Sequence, residues 1–272
     1  MPRVNDMKRI LAAVCALLLA GRSRAAADVW DVASPGGDND GGSHNELSHD
    51  AMQVHDLAAL PGPVADEDWY RLMMGRASSY EVVLDGFSGE LSLATTVDLV
   101  DGSGATIATA KPSGGGLAKT LAFENTNTVT SFGEFLRVHG AECGTACDAN
   151  DQYTIRFRET TYAIPRFNNS GSQRTLLLLQ APHPVAVPSV SGHIYFWSTT
   201  GAGTTGPLAV QTFTLDSQAS MVIDTSTIPG LAGQAGSITI SHDGPYGVLA
   251  GKAVAVEPAT GFTFDSPMEP RP

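Results

Sequence analysis

Seven oxygen-bearing side chains in the first part of the chain, Asp38, Asp40, Asn45, Glu46, Asp50, Asp66 and Asp68, have the chemistry of a calcium site. Calcium takes about six to eight oxygen ligands, so a cluster of this size suffices if the segment ahead of Asp50 folds back on the turn at Asp66. Glu46, Asp50, Asp66 and Asp68 are the expected ligands. The competing reading is a solvated acidic loop, and no EF-hand spacing is present. His44, His49 and His55 offer imidazoles for a transition metal, but their spacing puts them on no common face of a helix or strand.

Cys143 and Cys147 close a short loop, and in an exported chain the default for such a pair is a disulfide. Adding His139 and Asp148 gives a metal-ligand spacing, which an oxidising compartment disfavours because it removes the thiolates. His242-Asp243-Gly244-Pro245-Tyr246-Gly247 is the densest polar cluster of the second half. It reads as a turn between strands, with a catalytic His–Asp pair as the sharper alternative. Tyr195, Phe196 and Trp197 point to both faces of one strand, so Tyr195 and Trp197 are candidates for an exposed binding platform unless another domain covers them. No His-Glu-x-x-His, Gly-x-Ser-x-Gly or phosphate-cradling glycine motif appears. Paired carboxylates for hydrolysis need only a separation in space, which leaves a secreted hydrolase with a shallow carboxylate site as an alternative.

The elements that must position these residues are strands. Glycine at 29 and proline at 16, without a long amphipathic helical stretch, favour an all-β chain with many turns. Trp69, Tyr80, Val82 and Leu84 are core candidates of the first two strands, and residues 51–57 form either a short strand or a helical turn. Val97–Val100 and Ala105–Ala110 flank Asp101-Gly102-Ser103-Gly104 as a hairpin, since Asp-Gly tolerates positive φ. Leu117–Phe123, Phe132–Val138 and Gln152–Phe157 complete about seven strands, the number of a small sandwich. Tyr162–Pro165 reads as a crossing. Arg174–Gln180 reads as a strand buried on both sides, and six further strands follow between His193 and Phe264.

Asp66-x-Asp68-Trp69-Tyr70, then Tyr80-x-Val82-x-Leu84, Val97-Asp98-Leu99-Val100-Asp101-Gly102-Ser103-Gly104, Leu136-Arg137-Val138 and Tyr153-x-Ile155 occur in that order. Over residues 44–160 the chain resembles the bacterial pre-peptidase C-terminal domain. The resemblance implies a non-catalytic β-sandwich module of exported proteins, and relatives among collagen-binding domains bind calcium through an acidic N-terminal segment.

Residues 1–27 have the parts of a secretory signal: Arg3, Lys8 and Arg9, an apolar run from Ile10 to Ala20, and Ala25-Ala26-Ala27. The run is shorter than the roughly 20 residues a membrane span needs, so no membrane insertion is expected. These residues hold five of the 16 Lys and Arg and one of the 28 Asp and Glu, which leaves 11 basic against 27 acidic residues, a net of −16. Such a chain repels nucleic acid, whose binding depends on cationic side chains.

The sequence therefore predicts two tandem antiparallel β-sandwiches, jelly-roll-like and then immunoglobulin-like. A signal over 1–27 and an acidic, mobile leader over 28–50 precede modules over 51–160 and 161–268, with a tail over 269–272. The expected role is a secreted or cell-surface binding or adhesion protein, steadied by calcium, that recognises an extracellular protein or polysaccharide. A structural surface component is the third reading.

Overall fold

The computed structural model describes residues 30, 37–38, 41–43, 45–58, 66–89, 91, 95–112, 118–128, 131–140, 147–182, 188–199 and 206–271. The signal expected over residues 1–27 lies outside them. The chain is all-β, with four antiparallel sheets arranged around two separate apolar cores.

The first core lies between two sheets. One contains Glu67–Met74 (β2), Thr95–Val100 (β4), Thr106–Thr109 (β5) and Ser131–Gly140 (β8), in the order β2-β8-β4-β5. The other contains Met52–Asp56 (β1), Ser78–Asp85 (β3), Lys111–Pro112 (β6), Lys119–Asn125 (β7) and Gln152–Glu159 (β9), in the order β1-β9-β3-β7-β6. Residues 51–57, open between strand and helix in the sequence, thus contribute an edge strand paired with β9.

Period-2 alternation sets the core faces. Tyr80, Val82 and Leu84 of β3 and Tyr153, Ile155 and Phe157 of β9 all point inward. In β2 the inward row is Asp68, Tyr70, Leu72 and Met74, so Trp69 is not the core residue its size suggests. Its ring lies outside, edge-on to Phe135 and 5.7 Å from the Arg137 guanidinium. The strand buries an aspartate in register with its apolar residues.

Because β2 is an edge strand, its outer backbone groups need partners. The leader supplies them: Trp69 N–H donates to Asp38 O (2.6 Å) and Arg71 N–H to Asn45 O (2.8 Å). Asp38, Ser43, Asn45 and Leu47 are all buried. The described part of the leader packs along β2 through main-chain hydrogen bonds.

The second core lies between a sheet of Tyr162–Asn168 (β10), Ser189–Ser198 (β12), Ala209–Asp216 (β13), Ala235–His242 (β15) and Glu269–Pro270 (β18), ordered β13-β12-β15-β10-β18, and a second sheet. That second sheet contains Arg174–Gln180 (β11), Ser220–Asp224 (β14), Ala250–Glu257 (β16) and Phe262–Pro267 (β17), ordered β14-β11-β16-β17. The expected crossing at 162–165 is part of strand β10, and the expected tail contributes β18 beside it. The leucine run of β11 is buried on one face only: Leu177 and Leu179 point inward, while Leu176 and Leu178 lie half-buried on the outer face.

The two sandwiches meet through the outer faces of β3-β7-β9 and β12-β15. Glu124 Oε2 is 3.0 Å from His193 Nδ1, and Ser241 Oγ donates to Glu124 Oε1 (2.7 Å). Tyr246 N–H donates to Glu81 Oε2 (3.2 Å), and burial raises the Glu81 carboxyl above its ordinary pKa. Arg271 Nε donates to Glu159 Oε1 (2.8 Å). These contacts across the junction are polar, unlike the apolar packing of either core.

Candidate metal centre

Asp38, His55 and Asp68 converge from three places in the chain. The leader brings Asp38, held by its carbonyl to β2; alternation on β1 turns His55 inward; alternation on β2 does the same for Asp68. Each offers a ligand atom within 4.8 Å of the others, and all three side chains are buried. They are the only such group of His, Cys, Asp and Glu among the described residues.

The surroundings fix each ligand. Gln53 Nε2 donates to Glu46 O (3.4 Å), which turns Gln53 Oε1 toward His55 Nε2 at 2.9 Å. Nε2 must then carry the hydrogen, and Nδ1 faces Asp38 Oδ2 at 3.6 Å. The imidazole is stacked between Trp30 (centroids 5.3 Å apart) and Tyr153 (5.7 Å), with Tyr70 edge-on at 5.0 Å. The Tyr153 hydroxyl donates to Asp68 Oδ2 and lies 2.7 Å from the Tyr70 hydroxyl. Burial, and then the Asp68 charge beside it, hold the Tyr153 phenol well above its usual pKa, so it stays a donor. Asn45 Nδ2 reaches Asp38 Oδ2 at 3.5 Å, and its carbonyl oxygen Oδ1 is buried without a hydrogen-bond partner.

Of the four expected calcium ligands, only Asp68 belongs to this group. Asp66 is buried, but it is not among the three convergent residues. The Glu46 residue is exposed, at an isolated bridge to Arg71. Asp50 is exposed with φ +57°, and the Arg158 guanidinium donates to it at 3.0 Å, which holds its carboxyl below the usual range. β-Strand parity and main-chain docking thus bring Asp38 and His55, not Glu46 and Asp50, beside Asp68. Both selected residues carried a sequence signal. Asp38 belongs to the oxygen-rich segment, and His55 alternates with Gln53 on a short strand beside the Asp66 turn.

No protein-family model matches the chain, and no curated protein does either.

The remaining sequence candidates are dispersed. Cys147 is buried in the first core, while Cys143 lies outside the described residues. His139 Nε2 is 3.1 Å from Asp98 Oδ2, and Arg137 and Thr109 donate to the same carboxylate, while Asp148 Oδ1 accepts from Asn150 N–H (2.8 Å). Burial raises the Asp98 carboxyl, but these hydrogen bonds outweigh it and its pKa is lowered.

Tyr195 and Trp197 do face away from their own core, but the first sandwich lies over them. Tyr195 is 1% exposed, and Trp197 carries the Arg76 guanidinium 4.6 Å above its ring while its Nε1 donates to Thr239 Oγ1. That corrects the exposed aromatic platform, because the second domain's aromatic face serves the junction. His242 is the last residue of β15, where Nε2 donates to Thr160 O (3.0 Å) and Nδ1 accepts from Gly244 N (3.1 Å), so neither nitrogen is left for a base.

Proposed function

We propose that the chain is an exported, non-catalytic binding protein whose first sandwich is a pre-peptidase C-terminal-like module and whose second sandwich recognises an extracellular protein. The observation that supports this reading is the outer face of the sheet β14-β11-β16-β17. Strand register aligns Val222 with Leu178, and Leu176 with Val254, while Val256 continues the same face. Val222 is 63% exposed and the other four are half-buried. Ion pairs Lys252–Asp265 (2.6 Å) and Arg174–Asp224 (3.6 Å) flank this apolar patch. An apolar centre with a charged rim is the usual anatomy of a protein-binding patch. Aliphatic side chains have no π-face for a sugar ring, which favours a protein over a polysaccharide.

The export signal and a Cys143–Cys147 disulfide belong to the same proposal. The test is binding of residues 28–272 to arrays of extracellular proteins and polysaccharides, alongside a Val222→Asp/Leu178→Asp variant. Saturable binding to a protein, weakened at least tenfold in the variant, is expected. Binding to polysaccharide alone would reverse the choice of partner, and turnover of an array member would favour the hydrolase alternative.

A further inference from the structure

We propose that Asp38, Asn45, His55 and Asp68 hold one buried divalent cation of the imidazole-accepting, zinc-like class, which fastens the leader to β1 and β2. The inference stands apart from the binding role of the second sandwich.

The hydrogen-bond chain Glu46–Gln53–His55 fixes the tautomer. With Nε2 donating to Gln53, a neutral His55 presents its Nδ1 lone pair to the Asp38 carboxylate at 3.6 Å. A ring nitrogen and a carboxylate oxygen at that distance in a buried site can share a metal ion or a proton. Asn45 distinguishes these possibilities. Its Oδ1 is an unpartnered, buried carbonyl oxygen on a carboxamide that already touches Asp38. A proton on His55 would do nothing for that oxygen, whereas a metal ion would take it as a ligand and remove the cost of burying it unmade.

Ligand type points the same way. A set of one imidazole nitrogen and three oxygens suits zinc and its neighbours; calcium takes oxygen almost exclusively. The outer partners are also those of a built metal site. His55 donates its second nitrogen to Gln53, and Asp68 accepts from Tyr153, so both ligands are oriented before an ion arrives.

The test is titration of the purified exported chain, stripped with chelator, using zinc, manganese and calcium chlorides with calorimetry and thermal unfolding. The expected result is one equivalent of zinc bound at micromolar Kd or tighter, a melting midpoint several degrees higher, and Trp30 fluorescence quenched by cobalt, because its indole stacks on His55. His55→Gln and Asn45→Leu should each weaken zinc at least tenfold. The stoichiometry of the unaltered protein decides the matter even if His55→Gln fails to fold. Zinc bound below half an equivalent, calcium bound more tightly than zinc, or zinc affinity unchanged in Asn45→Leu would each overturn the assignment. A midpoint indifferent to every metal but rising as pH falls from 7.5 to 5.5 would identify an imidazolium ion pair instead.

Discussion

Glu124 of the first sandwich and His193 of the second meet across the junction, with a carboxylate oxygen 3.0 Å from the ring nitrogen. The other oxygen of the same carboxylate takes the hydroxyl of Ser241, a fully buried residue. One side chain therefore satisfies two groups of the opposite sheet, and its removal leaves both without that acceptor. Glu124→Ala is expected to cost about 1–3 kcal/mol. Glu124→Gln, which keeps a carbonyl acceptor, should cost less. Scanning calorimetry distinguishes a simple loss of stability from a loss of coupling. The alanine variant should broaden or split the endotherm into two, and an endotherm lowered without splitting would show that the sandwiches are held together elsewhere.

The architecture was legible wherever side chains carried the signal. Tyr80, Val82 and Leu84, then Tyr153, Ile155 and Phe157, alternate cleanly and take the core positions their pattern implies. The metal candidate was legible only in part, because its decisive contacts are made by backbone. Asp38 O and Asn45 O receive the N–H groups of Trp69 and Arg71, and any residue type can offer a carbonyl. A segment rich in Gly, Asp and Asn therefore reads as solvated even where it covers a sheet edge. Size misled at β2: Trp69 outranks Asp68 on any scale of burial, yet Tyr70, Leu72 and Met74 set the inward row, and Asp68 shares their parity. Tyr195 and Trp197 were correctly outward, and only the position of the first sandwich decides that they are covered.

Two glycines in the second sandwich should respond unequally to alanine. A Cβ on Gly236 would lie 1.6 Å from Trp197 O, at the pairing of β12 with β15, where backbone cannot yield without breaking the ladder. Gly233 has φ +74° and open space around its missing Cβ, so alanine there meets conformational strain alone. Gly233→Ala is expected to cost about 1–2 kcal/mol. Gly236→Ala should cost more than about 3 kcal/mol or prevent folding. Urea midpoints of the two variants check the order, and equal losses would mean that the β12–β15 ladder adjusts at Gly236.

The pH response of the second sandwich should depend on His242. Both of its nitrogens are bonded as the neutral ring requires, Nε2–H to Thr160 O and Nδ1 from Gly244 N, and Tyr162 stacks on it with centroids 5.7 Å apart. Burial lowers its pKa from 6.5 to about 4. The unfolded chain takes up the proton near 6.5 and the folded chain only near 4, so stability is whole above 6.5 and lost as pH falls toward 4. The loss amounts to about 3 kcal/mol over the full interval. Glu81 works in the opposite sense, because burial raises its pKa and its protonation favours the folded chain as pH falls. A single wild-type profile sums both effects, so the informative comparison is with His242→Gln, which removes one of them. Urea unfolding at intervals from pH 7.5 to 4.5 should show the wild type losing stability more steeply than the variant, and parallel profiles would mean that His242 takes up its proton equally in the folded and unfolded chains.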